Sequence, residues 1–424
     1  MNILVITGSP WNDTNSVGNT LSNWFSNWGD TNFSTLYSRD ALPNNSCCEA
    51  YFKVSPTNII KNLFTPHRIG VRFDKNTYKN VQFSSGNKEW SITPAYGKGR
   101  RRVFLLLYEI LYSSRIWLNN KLKRFIADQK PDLCFTFAIS EPYRYHICKY
   151  LKSKSIPIVL FIADDVYGSY SSKKVLFNTK RIKRFESLIN MADKVYGASE
   201  MMCEKYSALF NIQVEPLYKG CVLSEPKSFC NTPLRIAYAG NLLYGRSQTI
   251  GLITKALSEI NNKNGKTLAC LEIYTGTPIT EEMASVLQVE GVSKIMGQRP
   301  FSEIVEILKT ADIVLHVESF DKKEIEEVKY SFSTKIVDCL QSGSVFMVVG
   351  PKGIASVEYP KTIPGAIVID NITDVHDALS VILSSPEKLL QNAKNTHAFA
   401  AEIFPVEKVR EKLRTEFCLL KKQS

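Results

Sequence analysis

Apolar runs alternate with amphipathic segments along most of the chain, in two successive series. In the first series, short apolar runs such as residues 2–7, 132–140 and 156–165 end at glycine or at polar residues. In the second series, five similar runs lie between residues 234 and 370, separated by segments with helical spacing. Near-continuous apolar strands that alternate with amphipathic helices are typical of parallel sheets covered on both faces. The pattern therefore predicts an α/β protein with two doubly wound, Rossmann-like domains that face a cleft.

The boundaries of these domains follow from interruptions of the pattern. Residues 221–233 contain turn-forming residues without periodicity and predict a linker. We expect an N-terminal domain over residues 1–220, a C-terminal domain over 234–404 and a C-terminal helix over 405–424 that packs across the two. Within the first domain, residues 40–100 are rich in Asn, Ser, Pro and Gly, and predict loops or an irregular insertion.

The composition is that of a globular protein, with 44% hydrophobic and 22% charged residues in a chain of 424. The longest apolar stretch, residues 103–112, contains Glu109 and is too short to span a bilayer. The N-terminus lacks the basic region of a cleavable signal. The ten cysteines have no regular spacing and predict reduced thiols in a cytoplasmic protein, and the five histidines are too dispersed to indicate a zinc site.

Charge is unevenly distributed along the chain. Residues 1–230 carry 31 Lys and Arg against 18 Asp and Glu, whereas residues 231–424 carry 22 against 23. The excess implies an anionic partner for the first half, which can be a membrane surface, a phosphorylated substrate or nucleic acid. Nucleic acid is disfavoured because the basic residues form no known binding motif. If residues 99–125 are helical, their apolar centre and basic ends fit either a membrane interface or a buried helix with solvated ends.

The segment YSFSTKIVDCLQSG, residues 330–343, combines hydroxyls, a cation and a carboxylate at the start of a predicted helix. A helix N-terminus binds phosphate through its free N–H groups. Ser333 and Thr334 add hydroxyl donors, Lys335 adds a cation, and Asp338 lies one turn further on. The alternative is an ordinary helix cap in which Lys335 and Asp338 form a solvated pair.

Three other loops follow predicted strands. In YAGNLLYGRSQTI, residues 238–250, Arg246 either reaches a phosphate or is a surface residue of an ordinary turn. The loop that begins at Gly8 is rich in Gly, Ser and Thr but lacks the dinucleotide-binding and P-loop spacings. Asp164 and Asp165 end a predicted strand, and they either face an acceptor or cap a helix.

The order and content of these segments resemble the GT-B glycosyltransferases, in particular the retaining, family-4-like branch that uses nucleotide-sugar donors. The resemblance rests on the strand end Tyr238-Ala239-Gly240, on the basic residue shortly after it, and on residues 337–343, which resemble the end of a motif with two Glu eight positions apart. Asp338 then takes the second acidic position, which in that family contacts the nucleotide ribose.

The resemblance implies that the first domain binds the acceptor and that the second domain binds the nucleotide sugar. The predicted ligands of the donor diphosphate are Gly8, Arg246, Ser333, Thr334 and Lys335. The predicted ribose ligand is Asp338. No catalytic residue is identified, and Asp164 and Asp165 are the candidates. No Asp-x-Asp triplet occurs, so we expect no metal and no cofactor besides the donor substrate.

Two departures from the family pattern leave alternatives open. Tyr330 stands where the motif has its first Glu, and Asn241 stands where many members have Arg. The resemblance implies a hexosyltransferase, retaining and metal-independent, that transfers a sugar to a glycan or lipid-linked acceptor. Its expected setting is bacterial-type surface polysaccharide synthesis, in the cytoplasm at the inner face of the membrane. The alternatives are a catalytically inactive GT-B homologue that acts as a partner protein, and a nucleic-acid-binding protein.

Overall fold

A computed structural model describes residues 1–77, 98–172 and 177–423. The chain divides into two compact units. The first consists of Met1–Leu217 together with Arg410–Ser424, and the second consists of Tyr218–Val409. Within the described residues, each unit has one β-sheet, and no helix is long and apolar enough to cross a membrane.

The described part of the first unit contains an eight-stranded sheet with the order β4-β3-β2-β1-β5-β6-β7-β8. All neighbouring strands are parallel except β4, which pairs with β3 in the antiparallel direction. The strands are β1 (Asn2–Thr7), β2 (Asn32–Tyr37), β3 (Cys48–Lys53), β4 (Val71–Asp74), β5 (Leu133–Phe137), β6 (Ile158–Ile162), β7 (Lys194–Gly197) and β8 (Val214–Pro216). Because β1 lies between β2 and β5, the loops after β1 and β5 open at the point where the strand order reverses, which is where doubly wound sheets bind ligands.

The helices of the first unit connect these strands. They are α1 (Ser16–Phe25), α2 (Pro56–Lys61), α3 (Lys98–Ser113), α4 (Asn120–Gln129), α5 (Pro142–Lys152), α6 (Val166–Ser172), α7 (Asn178–Met191) and α8 (Glu200–Phe210). The stretch 40–100, expected to be irregular, contains β3, α2 and β4 in its described part, and residues 78–97 lie outside the described residues. These elements have only four to six residues each, too short for a periodicity to emerge among the surrounding Asn, Ser and Pro.

The second unit contains a six-stranded parallel sheet with the order β11-β10-β9-β12-β13-β14. Its strands are β9 (Leu234–Ala239), β10 (Ala269–Tyr274), β11 (Ser293–Ile295), β12 (Ile313–Val317), β13 (Val345–Val349) and β14 (Ile367–Ile369). The helices from this point to the end of the chain are α9 (Arg246–Lys263), α10 (Glu281–Leu287), α11 (Phe301–Thr310), α12 (Lys322–Val328), α13 (Lys335–Gln341), α14 (Ala355–Glu358), α15 (Val375–Leu383), α16 (Pro386–Ile403) and α17 (Val406–Gln423). The strand order reverses between β9 and β12.

Both faces of the second sheet are covered by helices. Ile236 and Tyr238 of β9 belong to one buried cluster with Ile250 of α9, whereas Ala237 belongs to another cluster with Ile336 of α13. Successive residues of a strand point to opposite faces, so the two clusters lie on the two sides of the sheet. This arrangement confirms the doubly wound α/β architecture predicted from the continuous apolar strands.

The last helix packs against the first unit. Phe417 of α17 is fully buried, and its ring centroid lies 5.7 Å from that of Trp28 and 6.1 Å from that of Phe25. The hydroxyl of Tyr196 donates a hydrogen bond to Glu416 of the same helix. Residues 221–233, expected to be a linker, contain no helix or strand and lie in the second unit, where Lys227 forms an ion pair of 3.0 Å with Asp312.

Candidate functional site

The loops at the reversal point of the second sheet bring three of its charged residues together. Gly240 follows β9 directly, and Arg246 begins the helix α9 that comes after this loop. Glu318 follows the neighbouring strand β12, and Lys335 begins α13 further along the same crossover. Because the carboxyl ends of parallel strands share one edge of the sheet, the four residues meet there although 95 positions separate the first from the last.

Arg246 is buried in a network that occupies every nitrogen of its guanidinium. Its Nη2 donates to the two carboxylate oxygens of Glu318 at 3.0 and 3.2 Å. Its Nη1 donates to Asn241 Oδ1 at 2.9 Å, and its Nε donates to the backbone carbonyl of Val317 at 3.3 Å. A buried arginine needs such a counter-charge, because an unpaired ion in the interior is strongly unfavourable. The residue predicted to bind a phosphate is therefore already paired with a carboxylate.

Glu318 is ionised, and its carboxylate is hydrogen-bonded to both Arg246 and His316. Burial opposes its ionisation, but the hydrogen bond with His316 Nε2 at 3.1 Å and the charge of Arg246 outweigh burial and lower the pKa of Glu318. Burial lowers the pKa of His316 despite its carboxylate neighbour, so this imidazole is neutral near pH 7. Sequence reasoning missed both residues, although an acidic residue directly after a buried strand at the reversal point was an available signal.

Lys335 is the cation of this site that no described residue neutralises. Its Nζ makes no ion pair within 4.0 Å and no hydrogen bond with the described part of the chain. The Nζ lies directly beside Gly240, because a Cβ added to that glycine would be 2.3 Å from it. Burial and the neighbouring charge of Arg246 lower the pKa of Lys335 to about 8. The ammonium group is thus partly dehydrated, close to a second cation, and available to an anion.

The other residues predicted on α13 have different partners. The Ser333 N–H donates to Ser356 Oγ at 3.0 Å, and Thr334 precedes the helix without a capping hydrogen bond from its side chain. Asp338 accepts a hydrogen bond of 2.7 Å from Lys219 Nζ, and both side chains are largely buried. Asp338 is therefore paired with Lys219, and not with Lys335 as an ordinary cap with a solvated pair would require.

Gly8 lies at the reversal point of the first sheet, next to a buried arginine. A Cβ on Gly8 would lie 3.4 Å from Arg144 Nη2 and 3.8 Å from Glu141 Oε2. Arg144 donates from Nε to Glu141 at 2.9 Å and from Nη1 to Ile6 O and Thr136 Oγ1, both at 3.0 Å. Its Nη2 donates to no described residue. Gly8 belongs to the first unit, whereas the other predicted diphosphate ligands belong to the second.

The catalytic candidates differ in their surroundings. Asp165 accepts hydrogen bonds from the Gly168 N–H at 3.1 Å, from the Tyr206 hydroxyl at 2.9 Å and from Lys205 Nζ at 2.6 Å. The first of these contacts caps α6. The backbone carbonyl of Asp164 accepts a hydrogen bond of 2.8 Å from the N–H of Val166. In the described parts of the chain, no group of three or more His, Cys, Asp or Glu side chains is arranged to hold a metal ion.

Comparison with known proteins identifies the fold. No family model matches the chain, and no curated protein sequence matches it. Solved structures match it along its whole length. A sucrose-phosphate synthase from Thermosynechococcus elongatus has 11% identity and a TM-score of 0.64, with 100% of both chains covered. HepE from Anabaena, solved with UDP and glucose, has 12% identity and a TM-score of 0.61, with 99% of each chain covered.

A third match is an α,α-trehalose-phosphate synthase (UDP-forming) from Burkholderia xenovorans, solved with glucose-6-phosphate. It has 9% identity and a TM-score of 0.59, and the alignment covers 98% of this chain and 100% of that one. Such low identities establish the fold alone. The chain has the GT-B fold, as the alternation of strands and helices and the family resemblance predicted.

Proposed function

We propose that the protein is a glycosyltransferase that takes a sugar from a nucleotide-sugar donor bound by its second unit. The GT-B fold supports this proposal, as does HepE, a structural match that was solved with UDP-glucose. The observation that carries the proposal is the uncompensated ammonium of Lys335 at the reversal point of the second sheet. With Arg246 and Glu318 neutralising each other and His316 neutral, Lys335 leaves this edge with one net positive charge, which suits a diphosphate.

In this proposal, catalysis consists of positioning and of electrostatic stabilisation of the leaving group. An acceptor hydroxyl attacks the anomeric carbon while the bond from that carbon to the diphosphate oxygen breaks. Lys335 compensates the charge that collects on the departing diphosphate, and Glu318 keeps the Arg246 guanidinium in a fixed orientation. The hydroxyl proton leaves with the diphosphate in a same-face, retaining transfer that needs no metal ion and no nucleophile from the protein.

The acceptor half of the proposal concerns the first unit. We propose an anionic glycan or lipid-linked acceptor in surface polysaccharide synthesis, used in the cytoplasm at the inner face of the membrane. The charge excess of residues 1–230 supports an anionic acceptor. Arg144 supports it as well, because its Nη2 lies unused beside Gly8 at the strand ends of the first sheet. Ribose binding by Asp338, in company with Lys219, remains part of the proposal.

A second candidate, a silent GT-B homologue, is favoured by one observation. Tyr330 occupies the position of the motif's first Glu, which in the family helps to hold the donor sugar. Slow hydrolysis of a nucleotide sugar in the absence of acceptor separates the two candidates. An enzyme releases the nucleoside diphosphate over hours, whereas a silent homologue binds the donor and leaves it intact.

The main test is a thermal-shift and calorimetric screen against a panel of nucleotide sugars and their nucleoside diphosphates. We expect at least one nucleotide family to bind the wild-type protein, and Lys335→Gln to weaken that binding by about 1.5–3 kcal/mol. Lys255→Gln is the matched control, since Lys255 is three-quarters exposed on α9 of the same unit. Absence of binding across the panel, or equal binding by Lys335→Gln, would remove the basis of the proposal.

A further inference from the structure

Helix α3 presents its apolar side outward. Val103, Leu107 and Ile110 are exposed, the first by 57% and the last by 55%, and their i, i+4, i+7 spacing puts them on one face. The other face packs on the first unit through Tyr112, which is fully buried and donates a 2.6 Å hydrogen bond to the carbonyl of Val54. A surface helix ordinarily has charged or polar residues on its exposed face, so a second apolar face directed outward is unusual.

A second group of exposed apolar side chains lies next to this face. Helix α2 packs against α3, and Ile60 near its end is exposed. Leu63 is exposed as well, and Phe64 is 99% exposed, so its ring has almost no contact with the rest of the protein. These residues and those on α3 form what we term the apolar patch, which consists of Ile60, Leu63, Phe64, Val103, Leu107 and Ile110. Exposed apolar side chains that concentrate on neighbouring elements are typical of an interaction site.

The segments that carry the apolar patch are strongly basic. Residues 54–73 contain three Lys or Arg and no acidic residue, and residues 103–125 contain four and a single acidic residue, Glu109. Glu109 is buried and paired with Arg184 at 2.6 Å, so it does not offset the surface charge. Lys61, Arg68 and Arg115 are exposed in these segments.

We propose that the apolar patch docks the protein on an anionic lipid surface. Phe64 and the exposed face of α3 enter the boundary between headgroups and acyl chains, while the surrounding basic residues contact the lipid phosphates. Exposed apolar side chains flanked by a net excess of basic residues complement such a surface on both counts. This surface differs from the continuous interfacial helix considered for residues 99–125, because α3 ends at Ser113 and the chain bends before α4.

Residues 60–64 contribute the most exposed part of the patch, and nothing in their sequence pattern distinguishes them from a loop. The stretch that follows them is fixed to the start of α4 by Asn119, whose Nδ2 donates to the carbonyls of Pro66 at 2.6 Å and Ile69 at 2.9 Å. The two parts of the patch lie on neighbouring elements, because α2 packs against α3. Docking does not depend on the donor site, so the two proposals can fail separately.

Co-sedimentation of the full chain with vesicles tests this proposal. Wild-type protein should sediment with phosphatidylcholine vesicles that contain about one third phosphatidylglycerol, remain in solution with pure phosphatidylcholine, and dissociate as salt rises. The variant Phe64→Ser/Ile110→Ser should partition at least about tenfold less, because it loses apolar insertion and keeps the charge. Phe229→Ser is the matched control, since Phe229 is an exposed phenylalanine of the second unit.

Three results would overturn the proposal. The first is wild-type protein that stays in solution with anionic vesicles at low salt. The second is Phe64→Ser/Ile110→Ser protein that sediments as the wild type does, because then charge alone accounts for binding. The third is a wild-type dimer in light scattering that the double variant converts to a monomer, because then a second copy covers the patch. Circular dichroism and UDP calorimetry on the same variants show whether fold and donor binding are unchanged.

Discussion

The protonation state of Lys335 should control the affinity of the second unit for a nucleoside diphosphate. Its pKa is lowered to about 8 by burial and by the charge of Arg246, so the ammonium titrates in an accessible pH range. Raising the pH from about 7 to about 9 removes this proton while Arg246 stays charged. The terminal phosphate of the ligand is almost fully ionised throughout, because its second pKa is near 6. A change in affinity over this range therefore reports on the protein.

The size of the effect follows from the protonated fractions. With a pKa of about 8, roughly nine tenths of the Lys335 side chains are charged at pH 7 and about one tenth at pH 9. If only the charged form binds, the affinity falls about tenfold, which is about 1.4 kcal/mol. The bound diphosphate favours the charged lysine and raises its pKa. Binding near pH 8 should therefore be accompanied by proton uptake from the buffer, and the sign of this uptake is a second check.

Titration calorimetry with UDP, or with the diphosphate that the screen identifies, measures both quantities when it is repeated in two buffers of different ionisation enthalpy. Lys335→Arg should show a flat pH profile, because its guanidinium keeps its charge at all these pH values. Lys335→Gln should be flat and weaker, and Lys255→Gln should retain the wild-type profile. If Lys335→Gln loses affinity with pH as steeply as the wild type does, the titrating group is another residue and the reasoning is refuted.

Three further predictions concern stability and metal dependence. Asp338→Asn should lower the free energy of unfolding in urea by about 3 kcal/mol, because it leaves Lys219 buried without its carboxylate. The control is Glu306→Gln, which removes a charge from an exposed ion pair and should change the free energy of unfolding by less than about 1 kcal/mol. Phe417→Ala should destabilise the protein by about 3–5 kcal/mol through the cavity left beside Trp28, whereas the exposed Leu419→Ala on the same helix should have little effect. EDTA should leave transfer activity nearly unchanged, and a loss that Mn²⁺ or Mg²⁺ restores would contradict this.

The fold was predictable because its signal is distributed over many residues. Five of the six strands of the second sheet coincide with the predicted apolar runs, and β11, Ser293–Ile295, was missed because it is short and only partly apolar. Helices such as α11 carry their apolar residues at helical spacing, so single exceptions do not change the pattern. The elements β3, α2 and β4 were missed because each is too short to show a period. The helix α17 was expected to pack across the two domains, and its burial in the first unit could not be specified, because an amphipathic helix does not specify the surface on which it packs.

The candidate site was predictable only where a residue stands directly at a strand end or helix start. Arg246 and Lys335 satisfy that condition, and the structure brings them together as the topology requires. The residues that pair with the site residues are not evident from the sequence. Lys219 and Asp338 are 119 positions apart, so their ion pair exists only in the folded chain. Arg144 lies in the first turn of α5, and its unused Nη2 lies beside Gly8, a residue of a distant loop.

Taken alone, Glu318 conflicts with an anion site, since a carboxylate repels a diphosphate. Its place in the network resolves the conflict. Arg246 lowers the pKa of Lys335, and two uncompensated cations side by side would push it lower still. The carboxylate of Glu318 offsets that repulsion and keeps Lys335 mostly charged at neutral pH. The resulting single net charge attracts a diphosphate but binds it less tightly than two free cations would, which suits a group that must leave after each transfer.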